Sequence, residues 1–180
     1  MLILHLFINL SSARVTDSVK YPIYRDYTPC RSSTYYPFPF KLECNAVGWN
    51  NPSSDDVVEA FRKNTPNDNI ESLSIVGSEF NHMVTRANLD EIFQLVAAGS
   101  ADTVKEIYLS DLDMTSLPDS INRFQNLDKL SVRNFKEIPK LGSGFINLQN
   151  LPALRTLNLM KNRIFSIDPD AFQGSFIHQL

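Results

Sequence analysis

The second half of the chain repeats one spacing of apolar residues. In each copy, the second apolar residue follows the first by three positions, and the third follows the second by two. Its most complete copy reads LRTLNLMKNRI and begins at Leu154, with leucines again at Leu157 and Leu159. Because residues two apart face the same side of a strand, Leu157 and Leu159 predict a short strand with one buried side. The apolar residues that follow, Ile167 and Phe172, predict a return segment that completes the unit.

Partial copies of the spacing begin at Ile70, Val104 and Leu127. The step from Val104 to Leu127 is 23 residues and the step from Leu127 to Leu154 is 27. Both steps lie within the range of about 20–29 residues that is typical of leucine-rich repeats. The pattern therefore predicts units at 70–103, 104–126, 127–153 and 154–176. Another unit is predicted to start at 177, where Ile177-x-x-Leu180 repeats the opening.

The turn after each strand needs a side chain that can satisfy backbone groups. Asn162 stands at this place in the complete copy, and its amide carries both donors and an acceptor. Ser78, Leu112 and Phe135 occupy the equivalent places. Serine can substitute in part, whereas leucine and phenylalanine cannot. Asn162 is therefore the predicted structural turn residue, and the other turns are expected to be less regular.

A helix is predicted as an insertion within the first unit. Asn88 is its expected N-cap, Glu91 its N3 residue and Gly99 the residue that follows its end. Apolar residues at i, i+3, i+4 and i+7 predict one buried face, formed by Leu89, Ile92, Phe93 and Val96.

The segment 30–69 is predicted to form a small cap in front of the repeats. Phe40 and Leu42 continue an alternation that starts at Phe38, which indicates a short strand. Pro37 and Pro39 restrict that strand to a sheet edge or a hairpin. Further on, Ser53 and Asp56 have the spacing of a capping box, and a short helix is expected to bury Val57, Val58 and Phe61.

Two cysteines occur in the chain, Cys30 and Cys44. In an oxidising compartment a pair this close is expected to form a disulfide. Closing the loop contributes about 3 kcal/mol of stability on a chain-entropy model. A zinc site is the competing interpretation, but it requires two further ligands, and His5, His82 and His178 lack a suitable spacing.

The first thirteen residues, MLILHLFINLSSA, are typical of a secretory signal peptide. An apolar run from Leu2 to Leu10 precedes the small residues Ser11, Ser12 and Ala13, and it is too short to span a bilayer. The alternative is a frayed start to a cytosolic chain, since no basic residue precedes the run. We expect a signal at 1–13, a spacer at 14–29 and a secreted protein.

These motifs resemble extracellular leucine-rich-repeat proteins over about residues 70–180. The upstream region resembles secreted arthropod proteins labelled after the non-catalytic subunit of shrimp luciferin 2-monooxygenase. That likeness is carried by Pro29-Cys30, Leu42-Glu43-Cys44, Asp55-Asp56-Val57, Ala60-Phe61 and Ile70-x-x-Leu73-x-Ile75. The resemblance implies an α/β leucine-rich-repeat solenoid, with a curved parallel sheet, a helical or irregular convex side and a small cysteine-containing N-terminal cap. The resemblance implies neither luminescence nor an active site in this chain. Many extracellular relatives have four cysteines in this cap, so a cap with two is reduced or different.

Composition narrows the function classes. The formal net charge is −3 and the pI is about 5.6, which disfavours a nucleic-acid partner. The three histidines are dispersed, and no G-x-S-x-G, H-E-x-x-H or glycine-rich phosphate loop occurs. We therefore expect no catalytic residues, no metal and no cofactor.

The outward residues of the strands form the candidate binding surface, here called the strand face. Tyr108, Arg133 and Met160 are of types enriched at protein interfaces. We expect a secreted binding module whose partner is another protein. The alternatives are a scaffold subunit that stabilises a separate catalytic chain, a cytosolic repeat scaffold, and binding through loops. The strand face consists of Ser72, Ser74, Val76, Glu106, Tyr108, Ser110, Lys129, Ser131, Arg133, Thr156, Asn158 and Met160.

The end of the chain lacks an obvious polar capping element, which a solenoid needs. We therefore expect the natural transcript to continue after Leu180 with further repeats and a cap, with or without a membrane anchor. Without them, Leu157, Leu159 and Phe172 are expected to be exposed at an open edge and to promote self-association.

Overall fold

A computed structural model describes residues 30–33, 41–45, 58–59, 61–62, 70–77, 84–135 and 138–180, with the backbone alone in the first two ranges. These residues form an α/β fold with one six-stranded sheet. The main helix is α1 (Arg86–Ser100), and two short 3-10 helices span Asp119–Arg123 and Leu148–Asn150. The strands are β1 (Cys30–Ser33), β2 (Lys41–Asn45), β3 (Ser72–Val76), β4 (Glu106–Ser110), β5 (Lys129–Arg133) and β6 (Thr156–Asn158).

The strands follow one another across the sheet in chain order. β1 is antiparallel to β2, and every later neighbouring pair is parallel. Ser72, Glu106, Lys129 and Thr156 are successive register partners. The chain therefore returns to the same position one strand further along after each connection, which is a solenoid-like arrangement.

The core lies on one side of this sheet. The second and fourth residues of β3, β4 and β5 are buried, as the alternation of apolar residues predicts. The return segments close the other side, where Ile138 pairs with Ile164 and Leu141 with Ile167. The buried strand residues are Leu73, Ile75, Ile107, Leu109, Leu130 and Val132.

Helix α1 begins earlier than its sequence predicts. Thr85, not Asn88, is the N-cap, and Asn88 is the N3 residue of a capping box. The Thr85 side chain accepts a hydrogen bond from Asn88 N at 3.2 Å, and Asn88 Oδ1 accepts one from Thr85 N at 3.1 Å. The helix also continues through Gly99 to Ser100, so Gly99 does not terminate it. Asparagine is able to cap a helix, but here Thr85, three residues earlier, takes the N-cap position. Each of the two side chains accepts a hydrogen bond from the backbone N–H of the other residue.

The predicted apolar face of α1 is confirmed. Leu89, Ile92, Phe93 and Val96 are fully buried. Phe93 packs edge-to-face on Phe124 of the next unit, with ring centroids 5.6 Å apart. At the end of the helix, the Ser100 hydroxyl accepts a hydrogen bond from Ile70 N at 3.0 Å and so fixes the entry into β3.

The N-terminal hairpin joins the sheet directly. The predicted strand lies slightly later than the alternation of Phe38, Phe40 and Leu42 indicates, at β2, and it pairs with β1 on one side and β3 on the other. Phe38, Phe40 and both prolines lie outside the described residues. Val58 and Phe61 of the predicted short helix are helical and buried, whereas its residues Ser53, Asp56 and Val57 lie outside the described residues. The proposed signal peptide at 1–13, the spacer at 14–29 and Ser78 also lie outside them.

The β1–β2 register places Cys30 directly opposite Cys44. Directly opposed residues of antiparallel strands have Cα atoms about 4.5–5.5 Å apart, which is within the range that a disulfide spans. If the chain enters an oxidising compartment, we expect peptide mapping of the non-reduced protein by mass spectrometry to find these two residues bridged. Two free thiols in such material would contradict a Cys30–Cys44 disulfide.

The C-terminal segment covers more of the last strand than predicted. Leu157 is fully buried, and Leu159 and Phe172 are partly buried against the core, so the expected exposure of Leu157 is wrong. The reason is that Gln179 pairs with Thr156, and Leu157 N donates to Gln179 O at 3.0 Å. This pairing also places 177–180 where the next strand is predicted. The exposed large apolar residues of this region are Met160, Phe165, Ile167, Phe176 and Leu180.

Within the described residues, no helix is both long and apolar enough to cross a membrane.

Candidate binding face

Strand pairing arranges the strand face in rows across the sheet. The central row runs Ser74, Tyr108, Ser131 and Asn158, each residue paired with the next at the same height. A second row starts at Ser72 and runs through Glu106, Lys129 and Thr156. Because the strands are parallel and in register, side chains 23–34 residues apart in sequence become neighbours.

These rows line one groove with a volume of about 490 Å³. Nine of the twelve predicted residues contribute to it, from β3, β4, β5 and β6. The lining is formed by Ser72, Ser74, Val76, Glu106, Ile107, Tyr108, Lys129, Leu130, Ser131, Thr156 and Asn158.

Three predicted residues lie outside the lining. Ser110 is buried, and its hydroxyl donates to the carboxylate of Asp111 instead of facing the groove. Arg133 is partly buried, and its Nε has no hydrogen-bond partner among the described residues. Met160 is exposed but lies beyond β6, where Asn158 Oδ1 accepts a hydrogen bond from Met160 N at 3.0 Å and turns the chain. The face is therefore narrower at the carboxyl ends of the strands than the repeat pattern predicts.

The charged groups of the groove lie side by side. Lys129 Nζ donates to Glu106 Oε1 at 2.7 Å across neighbouring strands. This hydrogen bond, together with the negative charge of Glu106, raises the pKa of Lys129 above its ordinary value. The two charges compensate each other, so the groove carries no net charge from its lining residues.

Asn162 occupies the turn after β6 and bonds to the backbone of two units. Its Nδ2 donates to Val132 O at 2.7 Å and to Leu159 O at 2.8 Å. Its Oδ1 accepts from Phe135 N at 2.9 Å. A single side chain thus satisfies three backbone groups and ties the turn after β6 to the one after β5, as its position predicts. Leu112 and Phe135, which occupy the equivalent places, are buried in the core.

The residues directly before Leu112, Phe135 and Asn162 adopt a left-handed conformation, which the repeat pattern does not predict. Asp111, Asn134 and Lys161 have φ values of 59°, 53° and 61°. They are seven residues after the starts of their units. Gly77 stands at this place in the first unit, but its φ is not positive. Aspartate and asparagine at this spacing were the available signal, because they tolerate positive φ better than most other residues.

The continuation of the parallel register into β2 was also not predicted. The backbone pairing places Lys41 beside Ser72, Glu43 beside Ser74 and Asn45 beside Val76. The parallel part of the sheet therefore extends by one strand toward the N-terminus. The signal was the alternation of Leu42 and Cys44, which pair with Leu73 and Ile75.

In the part of the chain that the structure describes, no three histidine, cysteine, aspartate or glutamate side chains are grouped to hold a metal ion. Comparison with known proteins found no family model, no curated protein and no solved structure that matches the chain.

Proposed function

We propose that the chain is a secreted leucine-rich-repeat protein that recognises an extracellular ligand through its strand face and catalyses no reaction. The fold assignment is supported by the position of each parallel strand. β4, β5 and β6 begin two residues after the first apolar residue of their units, where the consensus pattern predicts a strand. The three backbone hydrogen bonds of Asn162 also fit the role of asparagine in that pattern.

One observation carries the binding role. Residues selected from the repeat pattern alone, from four separate units, line a single groove. Solenoids of this kind bind ligands on the face made by their strands. Among the described residues, the lining includes neither histidine nor cysteine, and its charged residues pair with each other, which favours recognition over catalysis.

Tyr108 is the residue to remove first. It is the one aromatic side chain among the described residues of the groove lining, and it stands in the middle row between Ser74 and Ser131. We expect Tyr108→Ala to weaken capture of ligand from extracellular fluid of the source organism by about tenfold or more, as truncation of a central aromatic anchor does. The measurement is quantitative mass spectrometry of material retained on the immobilised full chain.

The matched control is Arg123→Ala. Arg123 is exposed on the 3-10 helix Asp119–Arg123, away from the groove lining. Capture should be unchanged in this variant. Equal retention by Tyr108→Ala and the wild type would place recognition on another surface.

A further inference from the structure

The groove has the dimensions of a site for a small or slender ligand. Its volume of about 490 Å³ lies within the range of about 300–1,000 Å³ that is usual for small-molecule sites. The lining spans four neighbouring strands, so a chain-like ligand could lie across them.

The paired charges of this groove disfavour strongly ionic ligands. Glu106 and Lys129 are the charged residues of the described lining, and they hydrogen bond to each other at 2.7 Å. An anionic or cationic chain would have to separate that pair or leave one of its own charges uncompensated. Complementarity therefore favours an uncharged ligand.

The groove lining holds four serine or threonine hydroxyls that have no hydrogen-bond partner among the described residues, namely Ser72, Ser74, Ser131 and Thr156. Each such hydroxyl offers one donor and two acceptor positions. Ser74 is buried, whereas the other three side chains are partly exposed, so their bonding capacity is available to a ligand.

Tyr108 stands between Ser74 and Ser131 in the central row. A phenol combines an apolar ring with a polar tip. The electron-rich ring face attracts the weakly positive C–H groups of a sugar ring, while flanking hydroxyls bond to the sugar hydroxyls.

We propose that the groove binds an uncharged oligosaccharide, with Tyr108 as the stacking platform and the serine and threonine hydroxyls as hydrogen-bonding partners. This inference rests on the proposed role of the strand face in ligand binding. It adds the chemical class of the ligand.

The test uses the full chain and four uncharged hexasaccharide probes: laminarihexaose, cellohexaose, chitohexaose and mannohexaose. A heparin-derived hexasaccharide is the anionic probe of similar length. Calorimetry should detect at least one uncharged probe, and saturation-transfer NMR should show signal on its ring C–H protons. Tyr108→Ala should weaken that binding about tenfold or more, whereas Tyr108→Phe, which keeps the ring, should stay within about threefold.

Arg123→Ala is again the control and should bind as the wild type does. The proposal is overturned if none of the four uncharged probes binds, or if the heparin fragment binds more tightly than all of them. It is also overturned if Tyr108→Ala binds as the wild type does. Should the probes fail while Tyr108→Ala still abolishes capture from extracellular fluid, the strand face remains the binding site and its ligand is not a saccharide.

Discussion

Replacing Gly77 with alanine should destabilise the protein by about 1–3 kcal/mol, toward the upper end of what overpacking costs. A Cβ at this position would lie 2.2 Å from Asp111 O and 2.9 Å from Leu112 Cδ2. The first of these contacts is with backbone, which cannot rotate away. Gly77 N also donates to Ser110 O at 2.8 Å, so moving the chain apart would lengthen a hydrogen bond between neighbouring units. Urea denaturation followed by circular dichroism measures the loss.

Gly144→Ala is the matched control for Gly77→Ala. A Cβ added at Gly144 meets no atom within 4 Å. Its free energy of unfolding should therefore change by less than about 0.5 kcal/mol, as for other exposed surface substitutions. Similar losses at both glycines would show that the close approach between β3 and the turn after β4 is absent.

Replacing Asn162 with leucine should cost about 1–3 kcal/mol, because buried backbone groups lose their partners. Leucine is close to asparagine in size but can neither donate to Val132 O and Leu159 O nor accept from Phe135 N. The lost bonds connect the last two strand-to-turn junctions, so the C-terminal unit should also exchange its amide protons faster. Urea denaturation and hydrogen–deuterium exchange measure the two effects.

Asn158→Leu provides the comparison for Asn162→Leu. Asn158 lies on the strand face four residues earlier and makes one backbone hydrogen bond, to Met160 N. Its replacement should cost clearly less than that of Asn162. If the two variants lose equal stability, the assignment of turn and face positions in the last unit is wrong.

Much of the sheet could be predicted from sequence because each unit encodes its strand locally. A pair of apolar residues two apart, preceded by another three earlier, is enough to mark β3, β4, β5 and β6. Once the strands are parallel and in register, the outward rows follow without further information. For this reason, the repeat pattern alone predicts nine residues of the groove lining.

What the pattern missed depends on interactions between neighbours. The choice of Thr85 over Asn88 as the N-cap depends on which of two competent side chains closes the capping box. Ser110 is drawn to the Asp111 carboxylate, which the left-handed turn places beside it. Met160 lies outside the groove because β6 ends at Asn158. Leu157 is buried because the segment that contains Gln179 pairs with β6. That segment belongs to an incomplete unit, so the complete units alone do not predict the burial.

Photo-crosslinking tests whether the ligand binds on the strand face, because it locates the bound ligand. A benzophenone amino acid is placed at position 108 in one protein and at position 123 in another, because benzophenone inserts into C–H bonds of saccharides and proteins alike. After irradiation in extracellular fluid of the source organism, position 108 should yield a discrete crosslinked species and position 123 should not. A crosslink that forms at 123 and is missing at 108 would place the ligand on another surface.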